Sequence, residues 1–379
     1  MSEGYSGNGA STIPTLVTAA IVLTAGSFLT SLALTRLTRV LALRAGFVSR
    51  PVRERFSQRT VPLGGGIAIF TTLAVFILAA TAAIKFLPGY FGPLARAANI
   101  NPADFLGKIN QLTIILLSVS LLFALGLWDD KKHLGPFLKL VVQFIVAIIA
   151  AAYADIRVEF FIENKIITST LSAVWIVLIV NAFNFLDNMD GLSAGVAVIA
   201  SAILFVAAAM SGQVFVGGLT LVFTGTLLGF LVFNFPPAKI FMGDAGSLVV
   251  GFFVAILTLR TTYYQEAQSG RWYPVLMPLV VMAVPLYDFI SVTLLRISQG
   301  KSPFVGDTQH FSHRLKRYGL TDTQTVLTLY LATLCTGLGA TFLYQVNLAG
   351  AILIFIQTFM ILAIIAILET AAKNDRAAD

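Results

Sequence analysis

Charged side chains are scarce. Asp, Glu, Lys and Arg make up 11% of the 379 residues, while 57% are hydrophobic and the mean hydropathy is +0.87. A soluble domain carries about 25% charged residues. A soluble particle of this composition could not cover its own surface, so the chain reads as an integral membrane protein. Cysteine is almost missing: Cys335 stands alone inside an apolar run. That excludes a disulfide framework, a cysteine metal set and thiol chemistry. Only three histidines occur, which argues against a zinc or copper centre. No extended Pro/Gly/Ser linker and no inverted repeat of the transporter kind divides the chain. One polytopic domain over residues 1–379, with a core at 13–368, is the simplest organisation. The first fifteen residues lack Lys and Arg, and the first basic residue is Arg36. A cleavable signal peptide needs a basic start, so the first apolar segment is expected to stay as a span.

What is present is a series of long apolar runs. A helix crossing a hydrocarbon core of about 30 Å needs about 20 apolar residues. Eleven runs qualify, at about residues 13–35, 61–85, 111–128, 136–153, 166–186, 193–211, 215–233, 247–262, 273–295, 323–344 and 348–368. They predict an all-α bundle of about eleven transmembrane helices. One set of alternate connections, with bordering residues such as Lys139, holds 18 of the 25 Lys and Arg. The positive-inside rule puts that set in the cytoplasm, with the N-terminus outside and the C-terminus cytoplasmic. The net charge of +7 then belongs to these loops. No basic or aromatic soluble module points to nucleic acid. On the outer side, residues 156–165 alternate enough for a small hairpin.

The same loops are oddly acidic. Asp129 and Asp130 follow the third run, Asp187 and Asp190 follow the fifth, and Asp244 precedes the eighth. Carboxylates are costly at membrane depth, and positive-inside loops have no topological need for them. They could cap helices or pair with Lys131, Lys132 and Lys239. Taken together, they ask for a cation, and oxygen ligands of this kind suit Mg²⁺ beside substrate phosphates. Asn181, Asn184 and Asp187 recur every three residues, which puts them near one helical face. Lys139 and Gln143, four apart, open towards the same end; the lysine either snorkels to the interface or neutralises a phosphate. Glycines 64–66 open the second run and allow close backbone approach, to a ligand or to a neighbouring helix. His310, His313 and Arg314 gather in the loop after the ninth run, and such donors suit phosphate oxygens.

These motifs, R-T-V-P-L-G-G, L-W-D-D, K-L-V-V-Q, N-A-F-N-F-L-D-N-M-D-G-L, F-M-G-D-A-G-S-L and Q-H-F-S-H-R-L, occur in order from about Arg53 to Arg314. As a set, the chain resembles the polyprenyl-phosphate N-acetylhexosamine-1-phosphate transferase family. The resemblance implies a ten- or eleven-helix bundle in the plasma (inner) membrane, commonly a homodimer, with its active site in a cytoplasmic cleft. It implies a UDP-sugar and a polyprenyl phosphate as substrates, with Mg²⁺, or Mn²⁺, as cofactor. Eleven spans and a split histidine motif resemble the N-acetylglucosamine branch more than the phospho-MurNAc-pentapeptide branch. Ser312 stands where that branch has a middle histidine, and Ser57 where many relatives have one. By resemblance, Asp244 and Asn184 lie on the metal side. Asp129 and Asp130 take part in catalysis, Lys139 neutralises phosphate, and Phe241 stacks on uracil. Asn181, Asp187 and Asp190 form the nucleotide wall, with Arg59 near the uridine. His310, His313 and Arg314 contact sugar and diphosphate. Direct attack by the acceptor phosphate is preferred to a carboxylate–phosphate intermediate, which the sequence leaves open. A transporter or flippase is the rival from another class.

Overall fold

In lipid a backbone finds no water, so a spanning segment must satisfy its own hydrogen bonds. The computed structural model accordingly is almost wholly helical; it describes residues 9–49, 60–87, 102–154, 156–157, 162–261, 271–302, 311–317 and 319–375. In order these form α1 (Gly9–Arg44), strands β1 (Val48–Ser49) and β2 (Val61–Pro62), α2 (Gly65–Phe86), α3 (Pro102–Lys132), α4 (Pro136–Tyr153) and α5 (Lys165–Leu186). Then come α6 (Leu192–Met210), α7 (Val214–Asn234), α8 (Gly243–Arg260), a 3₁₀ turn (Tyr273–Leu276), α9 (Met277–Val281), α10 (Ala283–Ser298), α11 (Phe311–Arg317), α12 (Asp322–Thr341) and α13 (Leu348–Asp375). Among the described residues, ten helices are long and apolar enough to cross a bilayer, or eleven if one bent pair is a single span. Their outward faces carry exposed Leu29, Ile145, Leu331 and Phe359, as a lipid-facing surface should.

Helix α8 is the axis. Every residue from Ala245 to Thr258 is buried, and α2, α3, α5, α6 and α7 pack around it. A helix that is apolar on all sides belongs in the interior. Two neighbours reach its first turn backbone to backbone. A Cβ on Gly66 of α2 would sit 2.4 Å from the Gly246 nitrogen, and one on Gly126 of α3 would sit 2.5 Å from Ala245 Cα. Small residues are what allow helices to approach so closely in lipid, where the hydrophobic effect does not drive association.

Three expectations need correction, and a fourth lies partly outside the described residues. The first span does not stop at residue 35. Residues 36–44 are mostly good helix formers, so α1 runs to Arg44 and takes Arg36, Arg39 and Arg44 with it. Gly46, at φ +66°, closes it, with Phe47 N–H on the Ala42 carbonyl at 2.9 Å. The third span begins at Pro102 and continues to Lys132, so Asp129 and Asp130 lie in its last turns and not beyond it. The ninth span is broken by 65° between α9 and α10. Pro285 has no N–H for the Val281 carbonyl, which accounts for the break. The hairpin expected at 156–165 falls partly outside the described residues. Those that are described form no strand, and Asn164 caps α5 by accepting from Ile166 N–H at 2.9 Å and Ile167 N–H at 3.3 Å.

Substituting Gly66→Ala should therefore cost about 1–3 kcal/mol, as overpacking generally does. The thermal unfolding midpoint in detergent should fall; an unchanged midpoint would show that the α2–α8 contact is looser than described.

Candidate functional site

The site forms where the last turns of α3 and α5 meet the first turns of α4 and α8. Gly243 turns the chain with φ +71°, and the N–H groups of Asp244 and Ala245 face α3. Asp130 accepts both, at 2.8 and 3.1 Å. A carboxylate at a helix N-terminus satisfies donors the helix cannot and meets its positive dipole end. Asp129 is rotated about 100° from Asp130 on the helix and faces α4. One of its oxygens accepts Leu134 N–H; the other lies 2.6 Å from Lys139 Nζ. The same ammonium lies 3.0 Å from Asp244 Oδ2. Asn184 of α5 completes the group, donating to Asp244 Oδ1 at 3.2 Å and to Ser247 Oγ at 2.8 Å. Asp129 is buried, whereas the Lys139 and Asp244 side chains keep 22% and 26% of their surface, so the cluster opens at the end of the bundle.

One turn deeper, Asn181 donates to Gln143 Oε1 at 2.6 Å and ties α5 to α4. The loops beside the cluster are stapled together. Asp190 Oδ2 accepts Ala238 N–H at 2.8 Å, and Asn234 accepts Gly191 N–H at 3.1 Å while donating to the Ile240 carbonyl at 2.9 Å. Phe241 N–H bonds the Pro62 carbonyl at 2.9 Å, and its own carbonyl accepts Gly65 N–H at 3.0 Å. Its ring, half-buried, stands three residues before Asp244. Asp187 is the half-buried C-cap of α5. Across the opening, Ser312 of α11 donates to Asn188 Oδ1 at 2.6 Å, and Arg314 Nη2 reaches Ser291 of α10 at 3.0 Å.

Asp129, Asp130, Lys139, Asn184 and Asp244 thus form one connected network, with Asn181 just below. Asp187, Asp190 and Phe241 lie in the flanking loops, and Arg314 is directed to α10. Arg59 and His310 lie outside the described residues, as does the side chain of His313. Several partners escaped the sequence reading. Ser247 is one helical turn from Asp244, a spacing that could have found it. Asp288 is fully buried within a span, where any charge is a signal. Arg296, expected from the sequence at the start of the basic loop after the ninth run, is instead buried within α10 with its guanidinium 5.0 Å from the Phe185 ring centre. Asn188 and Asn234 gave no signal, since their partners are distant in sequence.

Asp129 and Asp244 share one ammonium, and Asp130 adds a third carboxylate on the N–H groups of α8, so carboxylates outnumber the cation within the network. Among the described residues no three His, Cys, Asp or Glu side chains form a preformed metal cage. Mg²⁺ does not need one: it keeps waters and takes one or two carboxylates with substrate phosphates. Carboxylate, amide and hydroxyl oxygens at an exposed, net-negative helix junction fit Mg²⁺ or Mn²⁺.

Residues 112–262, which include all five members of the network, match the family described as glycosyl transferase family 4. The chain is similar to that family over this segment. A probable undecaprenyl-phosphate N-acetylglucosaminyl 1-phosphate transferase of Bacillus subtilis is 29% identical, over 92% of this chain and 89% of its own length. An undecaprenyl-phosphate alpha-N-acetylglucosaminyl 1-phosphate transferase of Yersinia pestis is 26% identical, over 89% and 86%. A decaprenyl-phosphate N-acetylglucosaminephosphotransferase of Mycolicibacterium smegmatis is 28% identical, over 77% and 74%. These relatives extend the polyprenyl-phosphate transferase resemblance across most of the chain.

Lys139→Met would leave Asp129 and Asp244 facing each other without the ammonium. Unfolding in metal-free detergent should come earlier by about 1–3 kcal/mol. Added Mg²⁺ should raise the midpoint more for the variant than for the parent protein; equal shifts would remove the cation-binding assignment.

Proposed function

We propose that this protein transfers N-acetylglucosamine-1-phosphate from UDP-GlcNAc to undecaprenyl or another polyprenyl phosphate and releases UMP. The observation that carries this reading is the Asp129–Lys139–Asp244–Asn184 network at one end of an apolar bundle. A polyprenyl tail must remain in lipid while its phosphate meets a water-soluble nucleotide sugar, and only a helix-end site offers both. The relatives named above act on undecaprenyl or decaprenyl phosphate, which supports the acceptor class. Their N-acetylglucosamine names favour this sugar over the phospho-MurNAc-pentapeptide alternative. A transporter would hold its ionisable groups near the bilayer midplane.

In this reading an acceptor phosphate oxygen attacks the β-phosphorus of the donor in line. The new phosphorus–oxygen bond forms as the bond to the oxygen bridging towards the α-phosphorus breaks, and UMP leaves with that electron pair. One anhydride replaces another, so the chain's contribution is mainly to gather and align anions. Lys139 offsets phosphate charge from its place between two carboxylates. Asp129, beside it, takes any proton still on the acceptor. Asp130, engaged with two N–H groups of α8, positions Asp244. Phe241 offers an aromatic face to uracil, with Asn181, Asp187, Asp190 and Arg59 on the nucleotide side. His310, His313 and Arg314 serve the sugar and diphosphate. Asp244 and Asn184 would hold Mg²⁺, which when bound supplies charge neutralisation at the diphosphate. The arginine-rich end of the bundle then faces the cytoplasm of a plasma (inner) membrane, with the N-terminus outside and the chain paired as a homodimer.

Purified protein given UDP-GlcNAc, Mg²⁺ and undecaprenyl phosphate should release UMP. Asp244→Asn should abolish release while the protein stays folded, and retained turnover would contradict the assignment. Phe241→Ala should raise the KM for UDP-GlcNAc by about tenfold, the worth of one base stack; an unchanged KM removes the stacking role.

A further inference from the structure

Helix α11 is seven residues long. A helix shorter than about 12 residues is marginal on its own, so α11 owes its place to what it touches. Leu315 is buried, Arg314 Nη2 lies 3.0 Å from Ser291 Oγ of α10, and Lys316 Nζ lies 2.6 Å from Asp322 Oδ1 at the start of α12. A further contact reaches the site. Ser312 is fully buried, and its hydroxyl donates to Asn188 Oδ1 at 2.6 Å. The direction of that bond is fixed at the other end of the amide. Asn188 Nδ2 lies 2.7 Å from the Phe185 carbonyl, which can only accept, so Oδ1 is the atom that faces the hydroxyl. A buried hydroxyl without a partner is destabilising, and Ser312 finds its partner in the turn between α5 and α6.

That turn is itself firmly held. Tyr330 of α12 donates to the Gly191 carbonyl at 2.5 Å, and Gly191 N–H bonds Asn234 Oδ1 at 3.1 Å. Asp190, two residues beyond Asn188, accepts Ala238 N–H at 2.8 Å, in the loop that leads to Phe241 and Asp244. The turn therefore joins the α7–α8 loop through Asp190 and α11 through Asn188. We propose that the Ser312–Asn188 bond is a positioning contact for the transfer reaction: it seats α11 on the turn and so fixes where Arg314 stands for the donor diphosphate. This inference rests on the transferase reading above. Ser312 and Asn188 act through Arg314, which follows Ser312 by two residues, about 200° round the helix. Gripped through Ser312 and through the Arg314–Ser291 bond, α11 is held on two faces; without the first grip the guanidinium loses its fixed place. Misplacement by about 1 Å is costly where catalysis depends on aligning anions. The diphosphate is charged before the reaction as well as during it, so the loss should appear chiefly as weaker donor binding.

The test follows UMP release by the full chain in detergent as UDP-GlcNAc is varied, with Mg²⁺ and undecaprenyl phosphate held constant. Ser312→Ala should raise the KM for UDP-GlcNAc about tenfold, the worth of one buried hydrogen bond, and change kcat much less. Asn188→Ala should raise it at least as far, since it also loses the Phe185 bond. Adding Ser312→Ala to Asn188→Ala should cost nothing more, because the bond is already gone. The two substitutions lie on different elements, so either one reads the KM if the other fails to fold. A bond that only stabilises the fold would lower the thermal midpoint and the active fraction, seen as kcat, and leave KM alone. An active parent whose folded alanine variants keep its KM, or two substitutions whose effects multiply, would overturn the inference and leave the transferase reading standing. A parent that releases no UMP would overturn that reading, and the inference with it.

Discussion

One ammonium group holds the site together. Lys139 Nζ lies between Asp129 on α3 and Asp244 on α8, and it reaches them from the first turn of α4. Without a cation at that point, two carboxylates at the edge of a low-dielectric bundle would repel each other. With it, three helix ends converge.

The second constraint is positional. Asp244 is useful only if the start of α8 is fixed, and α8 is held by backbone proximity and capping together. Gly66 and Gly126 let α2 and α3 press on its first turn, while Asp130 accepts its first two free N–H groups. The paired aspartates of the L-W-D-D motif therefore divide their work. Asp130 fixes the start of α8 and Asp129 turns to Lys139 of α4, because adjacent positions on a helix point in different directions.

Much of this was legible in the sequence, for identifiable reasons. Long apolar runs reveal spans because lipid tolerates little else, and the runs at residues 136–153, 166–186 and 193–211 coincide closely with α4, α5 and α6. The acids of the site were visible because a carboxylate stands out against an apolar background. What could not be read were partners joined only by folding. The Ser312–Asn188 bond and the Asn234 brace link residues with no local signature. Helix ends were misjudged at α1 and α3 because arginine, lysine and aspartate lower hydropathy without breaking a helix. The bend before α10 was written in Pro278 and Pro285, yet the apolar pattern alone ran straight through them.

The length of α1 has a mechanical meaning. At 36 residues it spans about 54 Å, well beyond the hydrocarbon thickness. Its backbone is seated against α7 at Gly225 and Gly229, so it cannot slide freely along the bundle. Its far end carries Arg36, Arg39 and Arg44, and just past them the Phe47 carbonyl accepts Leu63 N–H at 3.0 Å. That bond leads through β2 to Phe241, beside the aspartates. The helix therefore acts as a depth gauge: it sets the height of the aspartate network against the arginine-bearing end of the bundle.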